Sequence, residues 1–339
     1  MPGMSNDLRR KLLLSLVFGL LVYVALALYS DWHQLTAALT DFPWIWLPVA
    51  VGLTLVNYVG RLIKWQWYLS LLGVEIPRRD SARIFGVGML MVMTPGKAGE
   101  FLKSYMVKNV TGTPMSVTAP VILAERMTDG TAMLILASVG LFAFPNPTAR
   151  LVAALVFAAF LTTIAVIQIR PLALWFLSLG ERLPLIRRFA GHLHAFYESS
   201  YLIFRPRNLL ISLLIGVVSW AAEGVAYYVV LTGFGAPPGP QTLLIAIFIF
   251  SISAVIGAVI AMPGGLGGVE GSLVALSVQT LGMSTAPATA AALLVRFCTL
   301  WMGVLIGVVS FSLWPQLLAG AEQARRPSLA PAAETETSA

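Results

Sequence analysis

Pro263-Gly264-Gly265-Leu266-Gly267-Gly268-Val269-Glu270 breaks an otherwise apolar run over residues 241–281, and Pro95-Gly96-Lys97-Ala98-Gly99-Glu100 breaks a second one over 82–108. Proline removes a backbone donor and glycine permits sharp turns, so neither stretch continues as a helix. Inside a bilayer the freed N–H and C=O groups must face protein or a water-filled cavity. A pair of such breaks, each closed by a glutamate, therefore reads as two broken helical hairpins, re-entrant or spanning, facing a polar interior.

The rest of the chain supports a membrane setting. Of its 339 residues, 58% are hydrophobic and only 11% are charged, against roughly 25% charged in soluble domains. Apolar segments at 11–29, 44–72, 116–144, 151–169, 208–234 and 287–314 are long enough to cross a bilayer. The fold class is thus all-α and polytopic, with about six spanning helices plus the two broken hairpins. Arg9, Arg10, Arg78, Arg79, Arg83, Arg170, Arg182, Arg187, Arg188, Arg205, Arg207, Arg325 and Arg326 fall in loops of one side, which the positive-inside rule makes cytoplasmic. This places both termini in the cytoplasm and the protein in a bacterial-type inner membrane. The net charge of +7 then reflects orientation, and nucleic acid is not an expected partner.

Residues 1–10 read as a short cytoplasmic segment, and 11–314 as the membrane domain, with halves 11–144 and 151–314. A connector over 170–207 alternates arginines with aromatic and aliphatic residues and suits the cytoplasmic interface. The tail, 315–339, is rich in Ala, Pro, Glu, Thr and Ser and is expected to be disordered. One cysteine, Cys298, and three scattered histidines exclude a disulfide framework and a metal cage. No nucleotide-binding loop and no nucleophile–base set accompanies the acidic residues, so neither cofactor nor enzymatic activity is expected.

The halves also look related. Glu100 precedes Arg126 by 26 positions, and Glu270 precedes Arg296 by 26. Arg61 stands before Leu72-Gly73 as Glu223 stands before Phe234-Gly235. With opposed orientations from the charge pattern, this predicts an inverted repeat whose broken helices meet near the midplane, a common transporter plan. Charges buried in a membrane are costly and mark functional interiors. An arginine fork suits bidentate phosphate recognition. Arg126 and Arg296 are accordingly assigned to a lipid head-group phosphate, with Lys97 and Lys103 adding positive charge. Gly96, Gly99, Gly264, Gly265 and Gly267 are expected to bring backbone N–H groups to the same anion at half-helix N-termini. Glu100, Glu125, Asp129, Glu223 and Glu270 orient the cations or handle protons. Arg61, Lys64, Lys97 and Lys103 are expected nearer the cytoplasmic end. The competing reading is that these charges form buried pairs that only lock the fold.

At these residues the sequence resembles the lysylphosphatidylglycerol synthase transmembrane region, or flippase-like domain, family. The matching pattern is Pro95-Gly-x-x-Gly-Glu100, Glu125-Arg126-x-x-Asp129, Pro263-Gly-Gly-Leu-Gly-x-x-Glu270 and Arg296. The resemblance spans about residues 11–314 and implies movement of lipids between leaflets. Full-length synthases carry a soluble aminoacyl-transfer domain after this region. The present chain ends in a short tail and is expected to act as a stand-alone membrane domain. The expected function is translocation of an anionic phospholipid or polyprenyl-phosphate-type lipid. The alternatives are an accessory scaffold for a lipid, hopanoid or glycolipid biosynthetic enzyme, and an ion-coupled carrier of a small anion. Membrane lipids are the expected partners under the first reading, and a lipid-biosynthetic enzyme under the second.

Overall fold

The computed structural model describes residues 21–25, 28, 32–94, 99–141, 151, 155, 158, 162 and 190–318. Most of the expected spans 11–29 and 151–169 falls outside the described residues. So do Pro95, Gly96 and Lys97, the first part of the 170–207 connector, and 319–339 of the tail. Among the described residues there is no strand.

The first half contributes α1 (Trp32–Asp41), α2 (Trp46–Leu71), α3 (Arg78–Leu90) with a 3-10 turn at Met91–Met93, α4 (Leu102–Thr111) and α5 (Met115–Leu141). After α6 (Ala190–Ile203), the second contributes α7 (Pro206–Gly233), α8 (Pro240–Ile260), a 3-10 turn at Pro263–Gly265, α9 (Gly268–Leu281) and α10 (Thr285–Arg296). A π-helical turn, Phe297–Trp301, joins α10 to α11 (Met302–Leu313), and a 3-10 turn closes the series at Pro315–Leu317.

Local chemistry explains the boundaries. Proline occupies the first position of α7 and α8, where no backbone donor is needed. Gly282 ends α9 in the left-handed region. The helices pack through small residues, as membrane helices do. Gly60 of α2 lies against Ser219 of α7, Gly140 of α5 against Phe248 of α8, and Gly307 of α11 against the backbone of Leu90 in α3. The outward faces remain apolar: Leu210, Leu214 and Val218 form an exposed stripe along α7.

Four helices among the described residues are long and apolar enough to cross a membrane: Trp46–Leu71, Pro206–Gly233, Pro240–Ile260 and Thr285–Leu313. Three match expected spans. The fourth, α8, is the first limb of a broken stretch; at 21 residues it is about 31 Å long, close to a full hydrocarbon thickness. Its counterpart α3, with 13 residues, reaches only about 20 Å. The two breaks are therefore unequal in depth of approach. The expected span at 116–144 forms one helix, Met115–Leu141, made more polar by Glu125, Arg126 and Asp129.

The two 3-10 turns that end α3 and follow α8 pack against each other. Met93 from the first faces Gly264 from the second. Residues of the π turn and α11 belong to the apolar cluster of the first half, with Leu300, Val304 and Phe311 packed among α3, α4 and α5 residues. The halves are thus interlocked, and the site lies where they meet.

Candidate functional site

A cavity of about 350 Å³ opens between the halves. From the first half it is lined by Tyr58, Arg61, Gly88, Glu100, Lys103, Arg126 and Asp129. From the second come Trp220, Glu223, Phe250, Gly257, Gly264, Gly265, Arg296 and Thr299. Arg61 and Glu223, at matching places in the expected repeat, both reach it from the paired helices α2 and α7.

The first cluster is centred on α5. One helical turn presents Glu125, Arg126 and Asp129, since positions three and four apart share a face. Arg126 Nε lies 3.3 Å from Glu100 Oε2, and Arg126 Nη2 lies 3.4 Å from Asp129 Oδ2. Asp129 also accepts a hydrogen bond from Lys64 Nζ and has Arg61 Nε at 3.8 Å. Lys64 is fully buried and donates a second bond to Thr128 Oγ1 at 3.2 Å. Lys103 Nζ donates to Glu125 Oε2 at 2.5 Å and sits 4.5 Å from the centre of the Trp65 ring. Gly88 makes that possible: a Cβ there would fall 2.6 Å from Lys103 Cδ.

The second cluster is tighter. Arg296 Nε donates to Glu270 Oε1 at 2.6 Å, and its Nη2 donates to the Gly264 carbonyl oxygen at 2.6 Å. Glu270 is fully buried, and its Oε2 accepts the Gly267 N–H at 2.7 Å. Gly264 holds φ 61, a conformation glycine adopts without penalty.

Both glutamate–arginine pairs separated by 26 positions are thus in contact. Glu125, Lys103 and Asp129 join the first cluster, and Glu223, Gly264 and Gly265 line the cavity. Gly99 is engaged locally, its N–H donating to Thr94 Oγ1 at 2.8 Å. One expectation differs. The Gly267 N–H does not stand open toward an anion, because Glu270, three residues on, supplies the carboxylate that caps this half-helix. Gly96 and Lys97 lie outside the described residues.

Arg61, Lys64 and Lys103, expected nearer the cytoplasmic end, join the interior network. For Arg61 and Lys64, two cations three apart in an apolar span were the signal. Tyr58 and Trp220 carried none. Tyr58 donates its hydroxyl to the Thr299 carbonyl oxygen at 2.5 Å, and Trp220 stands 5.8 Å from the Arg61 guanidinium carbon. Arg61, Lys64, Lys103, Arg126 and Arg296 all face a carboxylate. The site therefore keeps its cations out of water beside carboxylates, with Asp129 shared between Arg61 and Lys64. Removing one member of such a pair exposes its partner to an uncompensated dry interior.

The family model described as Lysylphosphatidylglycerol synthase TM region matches residues 12–307. Two proteins of Methanothermobacter thermautotrophicus, each described as a UPF0104 membrane protein, are similar along most of their length. One is 22% identical over 318 residues, covering 87% of this chain and 93% of the relative. The other is 24% identical over 317 residues, covering 86% and 90%.

Proposed function

The chain belongs to the lysylphosphatidylglycerol synthase TM region family and is a multi-pass membrane protein, and from that premise we propose that it is a non-enzymatic lipid translocase. The substrate is an anionic phospholipid or polyprenyl-phosphate-type lipid whose head group occupies the cavity between the halves. The observation that carries this reading is the cavity itself. It sets Arg61, Lys103, Arg126 and Arg296 among helices whose outer faces are apolar. Its volume of about 350 Å³ accommodates a head group but not acyl chains, which must then remain in lipid. Ala258, Ala261 and Met262 line the cavity and are exposed, which supports a sideways opening toward the bilayer. That opening favours a lipid over a small free anion.

In this reading the halves form an inverted repeat in the inner membrane with cytoplasmic termini. Their relative rocking alternates access to the head group. The cations offset the desolvation of the phosphate, and the carboxylates hold the cations when the cavity is empty.

A vesicle assay tests it. Purified protein is reconstituted with fluorescent phosphatidylglycerol, and a membrane-impermeant quencher reports the outer leaflet. The expected result is bleaching of both leaflets where protein-free vesicles lose only the outer one. Protection of the inner leaflet for every anionic lipid tried would end the proposal. A second reading is favoured by one observation, the pairing of Arg61, Lys64, Lys103, Arg126 and Arg296 with carboxylates. It makes the protein an accessory scaffold for a lipid-biosynthetic enzyme. It requires that neutral replacement of Arg126 leave function intact.

A further inference from the structure

The two glutamate–arginine pairs share a spacing but not a construction. Arg296 has two strong acceptors already: the Glu270 carboxylate and the Gly264 carbonyl oxygen, both at 2.6 Å. The remaining Glu270 oxygen holds the Gly267 N–H at 2.7 Å. One guanidinium thus ties the end of α10 to the first turn of α9 and to the Pro263–Gly265 turn. Taking a phosphate would oblige Arg296 to break the hydrogen bonds it already makes to Glu270 and to the Gly264 carbonyl oxygen.

Arg126 is built otherwise. Its Nε and Nη2 lie 3.3 and 3.4 Å from carboxylate oxygens, yet neither makes a hydrogen bond among the described residues. Its side chain is 25% exposed, against 10% for Arg296. Buried N–H donors left unmatched carry a standing desolvation cost, which an acceptor of the right shape removes. A phosphate offers two parallel oxygens to a guanidinium fork. Asp129 does not depend on Arg126, because Lys64 and Arg61 remain beside it. Arg126 can therefore turn toward a ligand without stranding that carboxylate.

We propose that the two arginines have divided the work: Arg126 is the guanidinium that takes the head-group phosphate, and Arg296 is a positioning residue that latches the Pro263–Gly265 turn. The first clause rests on the translocase reading above; the latch does not. The latch matters to transport because Gly264 faces Met93 from the other break. Holding the Gly264 carbonyl fixes where the two breaks meet, and so the shape of the cavity wall.

Full-length protein and its Arg126→Lys, Arg126→Gln, Arg296→Lys and Arg296→Gln variants separate the roles. Lysine keeps the charge at either site but is a point donor without the fork. It cannot hold Glu270 and the Gly264 carbonyl as arginine does. Three quantities are measured: binding of dihexanoyl phosphatidylglycerol through fluorescence of Trp220 and its neighbours, amide exchange across 262–268, and leaflet exchange of fluorescent phosphatidylglycerol.

Arg126→Gln is expected to weaken binding by at least about tenfold, a loss of the size expected for a charge-assisted hydrogen bond, and to leave exchange across 262–268 unchanged. Arg296→Lys is expected to keep binding within about threefold. It raises exchange at the Gly265, Leu266 and Gly267 amides by about tenfold or more and slows translocation, since freeing a held turn lowers its local opening energy. If Arg296→Gln fails to fold, Arg296→Lys decides the matter alone. Unchanged exchange in Arg296→Lys overturns the latch. Equal loss of binding in Arg296→Lys and Arg126→Lys overturns the division of labour. A wild type that binds no dihexanoyl phosphatidylglycerol overturns the Arg126 assignment together with the lipid reading, while the exchange data still decide the latch.

Discussion

Tyr58 on α2 donates its hydroxyl to the backbone carbonyl oxygen of Thr299, 241 positions away and within the π-helical turn at Phe297–Trp301. A π turn disturbs the regular i to i−4 ladder, and such turns concentrate at functional sites. Tyr58 meets a carbonyl within that disturbed stretch, and both residues line the cavity. Tyr58→Phe keeps the ring and deletes the donor. It is expected to cost about 1–3 kcal/mol, the penalty for a buried acceptor left unmatched. Thermal unfolding in detergent will show a lower midpoint than wild type; an unchanged midpoint contradicts the assignment.

The Lys103–Glu125 pair predicts non-additivity. Both side chains are almost completely buried. Lys103→Met leaves Glu125 buried without its partner, and Glu125→Gln leaves Lys103 likewise; each is expected to cost about 3–5 kcal/mol. The double variant Lys103→Met/Glu125→Gln removes both charges and is expected to be more stable than either single one. A double-mutant cycle on unfolding free energies measures the coupling. Simple addition of the two single losses would show that the pair is not a unit.

Backbone conformation at the second break gives opposite signs for two small changes. Ala261 holds φ 56, the one non-glycine residue with positive φ among the described residues. Ala261→Gly relieves that strain, and after glycine's own entropic cost it is expected to gain about 0.5–1 kcal/mol. Gly264→Ala introduces the same strain and brings a Cβ to 3.2 Å from Leu300 and Met93 side-chain atoms. It is expected to lose about 2–3 kcal/mol. Equal midpoints for the two variants would refute this account of the turn.

Orientation is open to direct labelling. The 28-residue helix α7 runs from Pro206 to Gly233, about 42 Å by its rise. Under the charge rule its start is cytoplasmic and its end external. A polar maleimide added to intact cells is expected to label Pro238→Cys at once and Arg207→Cys only after permeabilisation. The reverse pattern would invert the assigned topology.

Much of the site is legible in the sequence. The 26-residue spacing named two pairs whose members touch, because both lie on elements that flank a break a fixed distance along the chain. The spacing could not tell a locked pair from an open one. That difference depends on whether the carboxylate meets the arginine in hydrogen-bonding geometry, as Glu270 does and Glu100 does not. Lys64 stands in the sequence as one cation within an apolar span. Its burial follows from Asp129, 65 positions away, which no local pattern announces. The π turn left no mark in composition either. It is a product of fitting α10 and α11 against Tyr58 and the first-half helices. Residues 240–260 looked like half of a hairpin because Pro263 follows so closely; the helix is complete before the proline begins.

The same π turn contains the chain's single thiol, Cys298, with no exposed surface. The wild-type protein is therefore its own cysteine-free background toward water-soluble reagents. A cysteine introduced anywhere on the surface or along the cavity will report on its own position, with no need to strip the native one first. For a membrane protein whose proposed work is movement between two faces, that makes accessibility in each state directly measurable.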